Sequence, residues 1–155
     1  PQVMQGYWNN PEATADTLRD GWLHTGDVGQ FDEEGYLTIV GRVKDMIISG
    51  GENIYPAEIE NVLVTHPQVR DAAVIGVSDR KWGEVPLAIL VAQESAVPGT
   101  NKVPAADELQ ALCREHVASY KVPAHYHFTD EIPRNPSGKI LKQQLRNDIG
   151  KDYDQ

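Results

Sequence analysis

Gly41 to Glu60 reads GRVKDMIISGGENIYPAEIE, and how its parts are read decides the fold. Met46-Ile47-Ile48 is too short for a helix and rich in β-branched residues, so it predicts a strand. Ser49-Gly50-Gly51 breaks it; paired glycines permit positive φ and a close approach by another backbone or a ligand. Tyr55-Pro56-Ala57-Glu58 has a proline suited to the first helical position and an acid in the first turn, so it starts a helix. On pattern alone, this strand, bare loop and helix start either bind something thin or form an ordinary tight connection.

Upstream, Asn10-Pro11-Glu12 reads as a cap and first turn of a short helix. Asp20-Gly21 is a turn signal, and Gly21 to Gly29 reads as one or two strands broken by Gly26. Phe31 and Tyr36 bracket a hairpin around Asp32 to Gly35, with Tyr36 to Val40 as its second strand. Downstream, Pro56 to Thr65 is an amphipathic helix presenting Ile59, Val62 and Leu63. Val69 to Val77 is a strand, Ser78 to Glu84 a polar loop, and Val85 to Ala92 a mostly apolar, central strand. Ser95 to Val103 is a loop. Ala105 to Ser119 is a helix with Leu109, Leu112, Cys113 and His116 or Val117 inward. Tyr126 to Thr129 is a short strand, Glu131 to Gly138 a loop, and Ile140 to Asp148 a last helix. From Arg42 onward the order is β-α-β-β-α-β-α, an α+β sandwich with the sheet covered by helices.

A composition seam near Gly41 places a domain boundary at Gly41 to Asp45, ahead of ~110 residues with a clear core, a size that can fold alone. The whole reads as one piece of a longer protein. Gln2 to Leu23 are expected to be loosely ordered or packed on a neighbour, because Trp8, Trp22 and Leu23 have little core to join.

With 14 Lys+Arg against 23 Asp+Glu the formal charge is −9, which argues against nucleic-acid binding through a general basic surface. Hydrophobic content of 40% is ordinary for a globular protein. The single cysteine, Cys113, reads as a small core residue of a cytosolic protein. No apolar run approaches the ~20 residues of a membrane span. None of the five histidines has metal-ligand company; His125 and His127 share a strand face without an acid or thiol partner.

Four blocks in order carry a family resemblance: GYWNNPEAT (Gly6 to Thr14), GWLHTGDVGQFDEEGYLTIVGR (Gly21 to Arg42), KDMIISGGENIYPAEIE (Lys44 to Glu60) and PRNPSGKILK (Pro133 to Lys142), with KWGE at Lys81 to Glu84. The chain resembles the C-terminal end of the adenylate-forming, AMP-binding enzymes, most closely the acyl-CoA synthetases. The resemblance implies two half-reactions: a fatty or aryl carboxylate attacks the α-phosphate of ATP to give an acyl-adenylate, and the thiol of CoA then expels AMP. It also implies that the acyl pocket and phosphate loop belong to a large N-terminal domain outside this sequence, with residues 1–41 as that domain's terminal β segment, 42–45 as a hinge, 46–150 as a C-terminal mobile domain and 151–155 as a tail. Mg2+ would be held mainly by the phosphates and that domain, with no metal ligands here. The location implied is cytoplasmic, and exposed N-terminal apolar residues would allow self-association. Two alternatives stand beside this: an adenylation domain serving a carrier protein, and a non-catalytic domain binding CoA or a partner. SGGENIYP argues for the CoA branch.

Residue by residue, Asp27 matches the aspartate that accepts hydrogen bonds from the nucleotide's ribose hydroxyls, a task suited to an acceptor-only carboxylate. Its plain alternative is a turn aspartate after Gly26. Thr25 would help order the same turn. Arg42 matches an arginine reaching ribose and phosphate, or is a solvated strand-end residue. Lys44 falls at the hinge position, where a small domain rotates between half-reactions, or is a surface lysine. Gly50 and Gly51 resemble glycines lining the pantetheine tunnel, and Trp82, Tyr120 and Lys121 lie where relatives contact CoA. Lys139 matches the catalytic lysine of the first half-reaction, a cation aimed at charge developing on the α-phosphate and carboxylate. Its plain alternative is a solvent lysine in a glycine-containing loop.

Overall fold

The structure, a computed structural model, describes residues 2–93 and 103–154. It divides into two compact units, Pro1–Lys44 and Asp45–Gln155.

In the first unit, α1 (Pro11–Thr17) begins where Asn10 accepts the Ala13 amide at 3.0 Å. The strands β1 (Leu18–Arg19) and β2 (Trp22–Leu23) pair around Asp20 and Gly21, both at positive φ. This two-residue turn is of the kind that suits the twist of a hairpin. Local capping and pairing give residues 2–23 a short helix and a hairpin. The apolar side chains of this segment nevertheless stay out, with Trp8 91% and Trp22 75% exposed. A second hairpin joins β3 (Asp27–Phe31) to β4 (Leu37–Arg42). Asp32 closes it by accepting the Glu34 and Tyr36 amides at 3.0 and 2.8 Å.

The second unit is a five-stranded sheet between two helical layers. Its strands are β5 (Ile47–Ser49), β6 (Glu52–Ile54), β7 (Val69–Asp79), β8 (Gly83–Ala92) and β9 (His125–Phe128), in the order β6-β5-β8-β7, with β9 parallel to β8. On one face α2 (Pro56–Leu63) and α3 (Ala106–His116) cover Ile47, Ile54, Val74, Ala88 and Leu90 with Ile59, Leu63, Leu109 and Cys113. On the other, α4 (Lys142–Asp148) and Ile132 cover Ile75, Leu87 and Ile89 with Leu145. Alternate residues of β7 and β8 feed opposite cores. That is why Val85 to Val91 is an uninterrupted buried run, as expected of a central strand covered on both sides. Each fully buried Leu or Ile contributes roughly 1.5–3 kcal/mol.

Four details differ from the sequence reading. A strand, β6, follows Gly50-Gly51, so the order after Arg42 is β-β-α-β-β-α-β-α. The polar loop shrinks to Arg80–Trp82 because β7 and β8 stay paired out to Asp79↔Gly83. The third helix ends at His116, which is exposed, and it is Val117 that is buried. Residues 151–154 are no free tail: the Tyr153 hydroxyl lies 3.0 Å from His127 Nδ1, and Asp154 accepts the Ser78 amide at 2.8 Å. The expected loop at Ser95 to Val103 lies, apart from Val103, outside the described residues.

Candidate functional site

In the first unit the second hairpin brings Thr25, Asp27 and Arg42 together. Asp27 and Arg42 are directly opposed across β3 and β4. Arg42 Nε lies 2.9 Å from Asp27 Oδ1, an ion contact without hydrogen-bond alignment. Arg42 Nη2 donates to the Thr25 carbonyl at 3.0 Å. Thr25 Oγ1 accepts the Asp27 amide at 3.1 Å, and Gly26 turns the chain at φ +74. Both charged side chains keep about a third of their surface open. An acceptor-only carboxylate and a fork of donors are thus held side by side.

Lys44 is exposed, in the single 3-10 turn Val43–Asp45, and has no partner among the described residues. The division between the two units falls within this turn.

Gly50 and Gly51 form the two-residue turn between β5 and β6, at φ +57 and +88. Trp82 covers the first of them: a Cβ on Gly50 would stand 2.8 Å from the indole ring, and the Gly50 amide donates to the Trp82 carbonyl at 2.8 Å. A Cβ on Gly51 would meet nothing within 4 Å. Gly50, Trp82 and Tyr120 line one cleft of about 390 Å³, together with Val85, Val122, Glu52 and Asp79. Asp79 accepts the Lys81 and Trp82 amides, both at 2.8 Å. The Trp82 and then the Lys81 amide hold its carboxyl below the usual range. Gly51 and Lys121 do not line this cleft. Lys121 instead donates to both carboxylate oxygens of Glu58, at 2.9 and 2.7 Å, and that hydrogen bonding raises its pKa.

Lys139 is exposed and without a partner among the described residues. Its loop is nonetheless tightly organised. Asn135 Oδ1 accepts the Ser137 amide, the Ser137 hydroxyl and the Lys139 amide, at 3.0, 2.7 and 2.9 Å. Arg134 donates to the Gly138 carbonyl at 2.8 Å and to the carboxylate of Asp71 on β7. Lys142 donates to Glu60 at 2.7 Å, and the same oxygen takes the Val74 amide at 2.8 Å. Sequence reasoning assigned no role to Asp71, Arg134 or Asn135. The Asn-Pro-Ser-Gly run signals an Asx turn and would have found Asn135; nothing local marks Asp71.

Among the described residues, no group of three or more His, Cys, Asp and Glu is placed to hold a metal. His125 and His127 both pack on the Tyr153 ring, at 5.3 and 5.9 Å between centroids. No described helix is long and apolar enough to cross a membrane.

The model of the AMP-binding enzyme C-terminal domain matches residues 58–139, more than half of the chain. The chain belongs to this family. The chain is similar to the feruloyl-CoA synthase of an Amycolatopsis species, 54% identical over 97% of this chain and 29% of that protein. It is also similar to the 2-succinylbenzoate–CoA ligase of Geobacillus kaustophilus, 49% identical over 97% of this chain and 30% of that protein. Among solved structures, the o-succinylbenzoate CoA synthetase of Bacillus subtilis, in complex with its acyl-adenylate intermediate, superposes with a TM-score of 0.83. That match is 46% identical and covers 93% of this chain and 28% of the other. The chain therefore spans under a third of the relatives it matches. The likeness covers both units, including the hairpins that precede the matched family domain.

Proposed function

We propose that this chain is the C-terminal part of an ATP-dependent acid–thiol ligase that adenylates a fatty or aryl carboxylic acid and passes the acyl group to CoA. The observation that carries the reading is Lys139, an ammonium without a partner among the described residues, on a loop fixed by its own hydrogen bonds. A cation that neutralises no neighbour is free to meet charge developing on a phosphate and a carboxylate. Asp27 and Arg42, with Thr25 beneath them, would receive the ribose and the α-phosphate side of the nucleotide. Residues 42–45 would be the hinge and Lys44 its pivot, between a terminal β segment over residues 1–41 and a mobile domain from residue 46. Gly50, Gly51, Trp82 and Tyr120 would form the path of the CoA arm. Lys121 would contact the CoA nucleotide only by giving up Glu58. The similarity to named CoA ligases supports CoA as the acceptor.

ATP and CoA are the substrates this reading requires, with Mg2+ carried in by the nucleotide. The proposed location is the cytoplasm. A large N-terminal domain would cover Trp8, Trp22 and Leu23, and without it those residues would favour self-association.

The test joins this segment to its large domain and measures ATP–pyrophosphate exchange separately from thioester formation. Lys139→Ala is expected to lower the exchange about 10²–10³-fold and to leave transfer from a supplied acyl-adenylate intact. Unchanged exchange would remove the catalytic assignment. The chain alone is expected to make no acyl-CoA, and detectable product would refute the division of labour.

A further inference from the structure

The loop bearing Lys139 is tied to β7, an edge strand of the sheet among the described residues. Asp71 sits at the bulge of that strand, where its Oδ1 accepts the Ala72 amide at 3.0 Å and so fixes the carboxylate to the backbone. Both Asp71 oxygens accept from Arg134 Nη2, at 2.8 and 2.7 Å. Arg134 Nη1 donates to the Gly138 carbonyl at 2.8 Å. That carbonyl belongs to the peptide group whose nitrogen is the amide of Lys139, and this amide donates to Asn135 Oδ1 at 2.9 Å.

A peptide group is planar. Held at its oxygen by Arg134 and at its N–H by Asn135, the Gly138–Lys139 plane has one orientation, which constrains how the Lys139 side chain leaves the backbone. Gly138 is at φ +82, so the loop has already taken the turn this orientation needs. The side chains of Arg134 and Asp71 are 39% and 29% exposed. A pair so open to solvent contributes roughly 0–1 kcal/mol to stability, which makes it a poor brace. A rigid guanidinium with two partners at fixed angles is a good alignment device.

We infer that Asp71 is a positioning residue for Lys139: through Arg134 it sets the Gly138–Lys139 peptide plane and aims the ammonium for the adenylation step. This rests on the catalytic reading of Lys139 and adds a residue outside the loop, 68 positions earlier.

The test uses the segment joined to its large domain, with Asp71→Ala, Asp71→Asn and Lys139→Ala. Asp71→Ala is expected to lower kcat of pyrophosphate exchange about 10–100-fold, as a small misplacement of a catalytic group does. KM for ATP and the transfer of a supplied acyl-adenylate to CoA should hardly change, and Asp71→Asn, which keeps an acceptor, should recover part of the loss. On the present chain, Asp71→Ala should speed hydrogen exchange at the Lys139 amide while the amides of β8 keep their protection. Equal loss in both half-reactions, with β8 loosened, would mean a structural residue and overturn the inference. So would normal exchange in Asp71→Ala beside impaired exchange in Lys139→Ala. Normal exchange in Lys139→Ala would bring down the catalytic reading and the inference with it.

Discussion

Lys121 on the turn after α3 donates to both oxygens of Glu58 on α2, so one ammonium clasps the two helices of one face together. The hydrogen bond to Glu58 raises the Lys121 pKa above 10.5. The sign follows: the contribution is complete below 10.5 and is lost as pH rises through the higher folded value. Lys121→Met, which keeps the apolar stem, should cost roughly 0.2–1 kcal/mol near neutrality. It should also flatten the alkaline limb of a stability–pH curve measured by denaturant unfolding. An unchanged alkaline limb would show that the pair contributes nothing.

At the opposite end of the pH scale stands Asp79. Its carboxylate closes the β7–β8 turn through two amides, and its pKa lies below 3.8. That contribution is present above 3.8 and disappears as pH falls through the lowered folded value. Asp79→Ala is therefore expected to lower the midpoint of thermal unfolding at neutral pH and to converge with the parent protein in strong acid. Parallel curves over the whole acid range would contradict this.

The two glycines of the β5–β6 turn should behave differently on substitution. Gly51→Ala meets only the backbone cost of a positive φ, about 1–2 kcal/mol. Gly50→Ala meets that cost and also the Trp82 ring at 2.8 Å, so it should be the more destabilising of the two and should shift the tryptophan emission. Equal destabilisation by the two variants would mean that the indole moves aside freely.

Cys113 is buried against α2 and the sheet, and burial raises its thiol pKa. Only the thiolate reacts readily. Labelling by a disulfide reagent at pH 8 should be slow in the folded chain and fast in denaturant. Rapid labelling without unfolding would show that α3 opens.

Leu90, fully buried on β8, feeds the α2–α3 face. Leu90→Ala should cost about 2–5 kcal/mol, read as a lower denaturant midpoint with an unchanged slope.

Much of the second unit is legible because its apolar patterns are long. VPLAILVA is an unbroken apolar run, and it is central and buried on both faces. Glu52-Asn53-Ile54 escaped because only Ile54 faces inward, so three residues carry no alternation to detect. Tyr153 and Asp154 escaped for a similar reason, since a polar terminal run has no period that marks docking. The site divides the same way. The hairpin around Asp32 to Gly35 is readable, but counting back from its observed pair Phe31↔Leu37 without a shift places Gly41 opposite Asp27. A register shift between Val28 and Gly29 moves Arg42 there instead, and no residue type announces a bulge. The partnership of Asp71 with Arg134 spans 63 positions and depends on the sheet being built first.

The outer rim of β7 has a further consequence. An eleven-residue strand with one side unpaired among the described residues is a template on which another chain can add itself, and neighbouring molecules could stack there into fibres. Here the Val74 amide on that side is taken by Glu60, and Asp71 is covered by Arg134. The opposite rim, β6, is only three residues long. The side chains that steady the Lys139 loop thus also blunt the one edge long enough to recruit a stranger, and loosening them would endanger solubility as well as aim.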